Sequence, residues 1–255
     1  MNYLEAGDGP LLLCLHGIGS SSRSFATQLD ELSAGHRVAA WDAPGYAKSP
    51  DPAGPPGLSG YARAVAELIG ELGDRAHLLG VSWGGVIACQ VALDHPSLLR
   101  SLILVGSSRG SGRDPETAAA MRQRGGALAR QGAADLARER TPRLLSPGAD
   151  RAVVEQATQI MAEAIRLPGY EYAAQAMADT DLSGRLDEIA TPTLVLCGGE
   201  DTVTGPQESQ ALANGIRDAV YVSVRGAGHL ANQQRPDAVN AWVASFIQIV
   251  ERLYR

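Results

Sequence analysis

Apolar residues along this chain fall into two alternating patterns. Short and almost uninterrupted apolar runs occupy residues 11–15, 37–41, 76–81, 101–105, 193–197 and 219–224. Runs of that length and make-up predict strands covered on both faces, as in a parallel sheet. Between them lie segments with helical spacing, at 22–34, 59–72, 84–94, 206–216 and 236–253. In the last of these, Val239, Trp242, Val243, Phe246, Ile249, Val250 and Leu253 share one face and predict an amphipathic helix packed on the sheet. The alternation of strand and helix predicts an α/β fold built on an open, doubly wound, mostly parallel sheet.

The alternation stops between Arg109 and Thr191. No strand is evident there, and Val153, Val154, Ala157, Ile160, Met161, Ala164 and Ile165 follow a helical spacing. The stretch is too long for a single crossover connection. Pro142, Pro147 and Pro168 are expected to divide it into several short helices. The predicted organisation is a core made of residues 1–108 and 192–255, with residues 109–191 inserted as a helical cap.

Composition narrows the classes of function. A chain of 255 residues can bury a full core as one domain. A net charge of −6 without any basic run argues against a nucleic-acid partner. No apolar stretch approaches the ~20 residues that span a bilayer, so no membrane association is expected. The start, MNYLEAGDGP, has neither a basic segment nor an apolar one of the kind that directs export. Cys14, Cys89 and Cys197 are odd in number and each lies inside an apolar run, as reduced core thiols do; neither a disulfide nor a metal site is expected. A cytoplasmic setting fits these features.

The candidate chemistry begins at residues 79–88, LLGVSWGGVI. AHLLGV reads as a strand and WGGVIACQVALDH as a helix, so Ser82 sits on the turn between them, flanked by Gly80 and Gly84. A strand–turn–helix around G-x-S-x-G is the context in which a strained turn presents a nucleophilic hydroxyl. A second match, Gly106-Ser107-Ser108-Arg109-Gly110, leads into loop rather than helix, which marks Ser108 as a chance match.

A serine hydroxyl needs a base, and the base needs an orienting partner. Of the five histidines, His36 and His77 begin strands and His95 ends a helix, positions that suit local structural roles. His229 lies in VRGAGHLANQ, a glycine-rich loop after the final strand, and is the candidate base. GGEDTVTG places Asp201 in the loop after the preceding strand as the candidate orienting acid, with Glu200 beside it as the fallback. All of these stand at carboxyl ends of strands, where open α/β sheets bind ligands. A developing oxyanion needs N–H donors. Trp83, at the start of a helix, offers one, and HGIG at residues 16–19 can aim a second, that of Ile18. Arg109, Arg113 and Arg166 could meet a substrate carboxylate, although arginine on such helices is usually solvated.

Taken together, HGIGSSSRSF, WDAPGYAKS, GVSWGG, GGEDTVTG and GAGHLAN resemble the oxyanion loop, Asp-x-x-Gly turn, nucleophile elbow, acid loop and histidine loop of the α/β-hydrolase family. The resemblance runs nearly end to end and is loosest in the cap. It implies that Asp42 holds a turn. The family usually opens with a β-hairpin, whereas MNYLEAG has room for little more than one strand. Within the serine branch the chain looks most like 3-oxoadipate enol-lactonases and related small carboxylesterases, which implies hydrolysis of a small ester or lactone without a cofactor. The polar loop at residues 20–24 and Trp83 are then expected to line a modest pocket beneath the cap. C–C hydrolases of aromatic ring-cleavage products are the alternative; Leu230, Ala231 and Asn232 stand where those carry aromatic residues. A hydrolase-like binding protein without catalysis is the alternative from another class.

Overall fold

The computed structural model describes residues 1–253. The chain runs β1 (Tyr3–Ala6), β2 (Leu11–Leu15), α1 (Ala26–Glu31), β3 (Arg37–Trp41), α2 (Gly57–Leu72), β4 (Ala76–Val81), α3 (Trp83–Asp94) and β5 (Leu99–Val105). It continues through α4 (Pro115–Arg122), α5 (Arg124–Gln131), α6 (Ala133–Arg140), α7 (Arg151–Ala164) and α8 (Gly169–Ala178). It returns as β6 (Thr193–Gly198), α9 (Gly205–Gly215), β7 (Val220–Val224), α10 (Ala231–Gln234) and α11 (Pro236–Leu253). The strands form one sheet in the order β1-β3-β2-β4-β5-β6-β7. β1 runs antiparallel to β3, and the other neighbouring pairs are parallel.

The period of two along each strand creates two apolar layers. Leu11, Leu13 and Leu15 of β2 join the core formed with α2 and α3, whereas Leu12 and Cys14 join the core under α1 and α11. Helices therefore cover both faces, as the alternation predicts. α3 is buried from Trp83 through Ala92, so it carries no polar face. The single N-terminal strand does not fold back on β2; it crosses to β3, with Tyr3 opposite Trp41 and Ala6 opposite Val38.

Two burial expectations fail for identifiable reasons. β7 is the edge strand, and Val220 is 46% exposed rather than covered on both faces. In α11 the buried arc is Val239, Asn240, Val243, Phe246, Ile247 and Val250. At about 100° per residue, Asn240 and Ile247 pull its centre away from Trp242 and Ile249, which are exposed along with Leu253.

Between β5 and β6 the described residues form helices and turns without a strand. Pro142 and Pro147 fall between α6 and α7, and Pro168 between α7 and α8. The other two breaks, at Gln123 and Gly132, have no proline; Gly132 ends α5 with a φ of +77°. The stem of the insertion is stitched by backbone hydrogen bonds from Ser111 N to Met177 O (3.0 Å), Gly112 N to Thr180 O (2.7 Å) and Leu182 N to Arg109 O (2.8 Å). Glycine is required there: a β-carbon on Gly110 would lie 2.1 Å from the Thr180 carbonyl oxygen. Among the described residues no helix is long and apolar enough to cross a membrane. The three cysteines are free and buried.

Candidate active site

The order of the strands reverses direction between β2 and β4, and open α/β sheets present their ligand crevice at such a point. The loops that follow these two strands carry Gly17 and Ser82. A β-carbon built on Gly17 would lie 3.3 Å from that of Ser82, so a side chain there would press the two loops apart by a few tenths of an ångström. Ser82 joins β4 to α3 with φ 53° and ψ −118°, a conformation unfavourable for a residue with a side chain. The turn is held by close backbone approach. A β-carbon at Gly80 would lie 2.4 Å from the Gly84 oxygen, and one at Gly84 would lie 2.2 Å from the Leu15 oxygen. Ser82 N–H also donates to Val105 O at 2.8 Å.

The loop after β6 brings in Asp201 and the loop after β7 brings in His229, both buried. His229 Nδ1 donates to Asp201 Oδ2 at 2.9 Å, which leaves Nε2 as the accepting nitrogen. Asp201 Oδ1 accepts from the N–H groups of Val203 at 2.7 Å and Thr204 at 3.2 Å. The Thr204 hydroxyl lies 2.8 Å from Asp201 Oδ2 and 3.1 Å from the Gly106 oxygen. Burial acts to raise the Asp201 carboxyl, but the hydrogen bond and charge of His229, the Val203 N–H and the Thr204 hydroxyl outweigh it and hold the group at about 2. Glu200 is exposed and takes no part in this network.

Ser82 and His229 line one cavity of about 370 Å³, together with Gly17, Ile18, Trp83 and residues of the inserted helices. That size suits a small organic molecule. Trp83 N–H opens α3, where the first N–H groups have no intrahelical partner. The loop bearing Ile18 is braced from two sides. Tyr46 OH donates to Ile18 O at 2.7 Å. His16 Nδ1 donates to Gly17 O at 2.8 Å, while its Nε2 accepts from Ala43 N at 3.0 Å. Burial drives His16 down to about 4 against the opposing Gly17 hydrogen bond and the charge of Asp42, so it is neutral with one fixed tautomer. Asp42 holds the neighbouring turn, accepting from Ser22 N at 2.9 Å and Asn2 Nδ2 at 2.5 Å.

Other expectations fare differently. Ser108 lines the cavity, but it is followed by loop and its Oγ accepts from Gly110 N at 3.3 Å. Of the polar loop at residues 20–24, Ser20 reaches the cavity; Ser22 is buried with its backbone N–H donating to Asp42, and Ser24 Oγ donates to Ser21 O at 2.8 Å. Arg109 is engaged by Glu208 through two contacts of 2.9 and 2.8 Å. Arg166 clamps Gly45 O at 2.7 Å, Ser49 O and Asp51. Arg113 lines the cavity and also reaches Glu208, at 3.3 Å. Thr204, Tyr46, Arg124 and Arg140 were not legible as site residues from local sequence. Among the described residues, no group of three or more His, Cys, Asp or Glu side chains is placed to hold a metal ion.

Comparison with known proteins bears on the fold and the family. A protein of Pseudomonas savastanoi pv. phaseolicola described as a carbamate hydrolase, RutD, is 30% identical over 240 residues, covering 91% of each chain. The 2-hydroxy-6-oxo-6-phenylhexa-2,4-dienoate hydrolase of Comamonas testosteroni is 30% identical over 264 residues, 97% of this chain and 91% of its own. Among solved structures, the enol-lactonase from Burkholderia xenovorans LB400 superposes with a TM-score of 0.86 at 25% identity, covering 97% of this chain and 96% of that one. A model of the alpha/beta hydrolase family matches residues 12–242, a span that takes in the sheet from β2 onward and every loop around the cavity; the chain belongs to that family.

Proposed function

We propose that this hydrolase cleaves a small carboxylic ester or lactone through an acyl-serine intermediate. The observation that carries the reading is the buried Asp201–His229 pair at 2.9 Å, whose histidine lines the same cavity as Ser82. In this reading the inserted helices act as a cap that shapes the pocket. Ser82 Oγ attacks the carbonyl carbon as its proton passes to His229 Nε2. Asp201 fixes the tautomer and stabilises the imidazolium that forms. The N–H groups of Trp83 and Ile18 receive the oxyanion. As the tetrahedral intermediate collapses, the C–O bond breaks and His229 returns the proton to the departing alkoxide. Water, deprotonated by the same histidine, then attacks the acyl-enzyme and releases the acid.

The residues after His229 favour an ester or lactone over a C–C bond. Leu230 lines the cavity there, in place of the aromatic residues expected of ring-cleavage hydrolases. Parallel kcat/KM values for a short-chain ester, an enol-lactone and a meta-cleavage dienone test the reading. Ester or lactone turnover should exceed that of the dienone, and a tenfold preference for the dienone refutes it. A fluorophosphonate should label Ser82, mapped by peptide mass. Absence of both turnover and labelling would make the chain a binding protein.

A further inference from the structure

We propose that Arg124 and Arg140 form an anion subsite in the cavity that holds a carboxylate carried by the substrate, apart from the bond that is cut. The inference rests on the ester or lactone reading and names the substrate class. Both arginines line the cavity and both belong to the inserted helices, Arg124 opening α5 and Arg140 ending α6.

The charges around them are accounted for. Glu208, which also lines the cavity, is engaged by Arg109 and Arg113. Asp114 caps α4, accepting from Glu116 N at 3.1 Å. Among the described residues no carboxylate forms an ion pair with Arg124 or Arg140. Arg124 instead has the phenol of Tyr170, a neutral group, near it.

Burial, and next the like charge of Arg140, push the Arg124 guanidinium below its ordinary value. It stays cationic at neutral pH, because arginine does not release its proton in that range. Two guanidinium groups lining one partly desolvated cavity repel. A carboxylate between them removes the repulsion and matches their planar donor forks. Tyr46 lies close enough to interact electrostatically with Arg124, and its hydroxyl holds Ile18 O. Ile18 and both arginines line the one cavity, so an acid-bearing acyl chain held at the oxyanion loop has the subsite within the same space.

The test compares a nitrophenyl hemiglutarate, which carries a free carboxylate, with its methyl-capped analogue. The native protein should prefer the acid by tenfold or more in kcat/KM. Arg124→Met and Arg140→Met should each lower that preference by about tenfold, the low end of the range for losing hydrogen bonds to a charged group. Arg124→Lys, which keeps the charge without the fork, should keep part of it and guards against a misfolded methionine variant. Equal losses on both esters, or no preference in the native protein, overturn the subsite. Calorimetric titration with glutarate decides the matter independently of turnover. If neither ester is hydrolysed, the ester reading falls, and glutarate binding that Arg124→Met abolishes still supports the subsite. Inorganic phosphate binding more tightly than glutarate overturns the assignment to a carboxylate.

Discussion

Ser82 should be a residue whose replacement by glycine stabilises the protein while abolishing turnover. Its φ of 53° with ψ of −118° is a conformation open to glycine and costly for other residues. Sparsely populated backbone geometry of this kind stores about 1–3 kcal/mol. Glycine removes that strain, but its freer unfolded chain takes back about 0.5–1 kcal/mol. Against Ser82→Ala, which keeps the β-carbon and the strain, Ser82→Gly should therefore gain about 1 kcal/mol. The side chain faces the cavity, so neither change removes core packing. For a chain of this length about 1 kcal/mol raises Tm by roughly 2–4 °C. Scanning calorimetry on the two variants, with urea unfolding as a second measure, reads the difference. Both variants should be inactive and unlabelled by a fluorophosphonate. A Tm for Ser82→Gly equal to or below that of Ser82→Ala would show that the turn is not strained at this residue.

Asp201→Asn should cost about 10⁴ in kcat, the scale seen for the equivalent change in another triad, whereas Glu200→Gln should stay within a fewfold of native; the reverse order of losses would exchange their roles. Ser108→Ala should retain most activity, since its hydroxyl binds the backbone of its own loop, and an inactive variant would move the nucleophile. Stability should fall between pH 6.5 and 4. Burial lowers both His16 and His77 from 6.5 to about 4; Asp42 opposes this at His16, Glu251 opposes it at His77, and His36 and Arg100 reinforce it at His77. In that window the unfolded chain binds protons that the folded chain does not, which removes about 3 kcal/mol for each histidine. Urea midpoints measured from pH 7 to 4.5 should decline, and His77→Gln, although less stable at pH 7, should show about half the decline. A flat profile in the native protein would refute the assignment of these two groups.

The parts of the site that the sequence makes legible are those specified by neighbouring residues. Ser82 stands out because strand, turn and helix are contiguous, and the close approaches at Gly80 and Gly84 are the physical content of that motif. His229 and Asp201 stand out because each lies in a loop directly after an apolar strand. Thr204 and Tyr46 do not, because their hydroxyls act on Asp201 and Ile18 through the packing of loops remote in sequence. Arg124 and Arg140 lie in segments that read as solvated helix. Their orientation toward the cavity depends on how α5 and α6 fold over the site, which helical spacing alone does not set. Trp242 is exposed although it shares the apolar spacing of its helix, because spacing defines an apolar arc but not which of its edges meets the sheet.

The stitched stem of the insertion separates two tasks within one chain. Arg109 and Leu182 are joined by a backbone hydrogen bond, and Gly112 and Thr180 by another. Viewed from β5 and β6, the whole excursion begins and ends at nearly one point. Its internal length adds little to the entropy of closing the connection, since that cost grows only with the logarithm of loop size. Helices can therefore be lengthened, replaced or re-lined with different side chains while strand register and the positions of Ser82, Asp201 and His229 stay fixed. Under the proposed function, such an arrangement would make recognition interchangeable over a constant reaction centre. Relatives described as acting on a carbamate and on a dienoate share this chain's scaffold at about 30% identity, and exchanging the segment between Arg109 and Leu182 is the natural place to transfer selectivity among them.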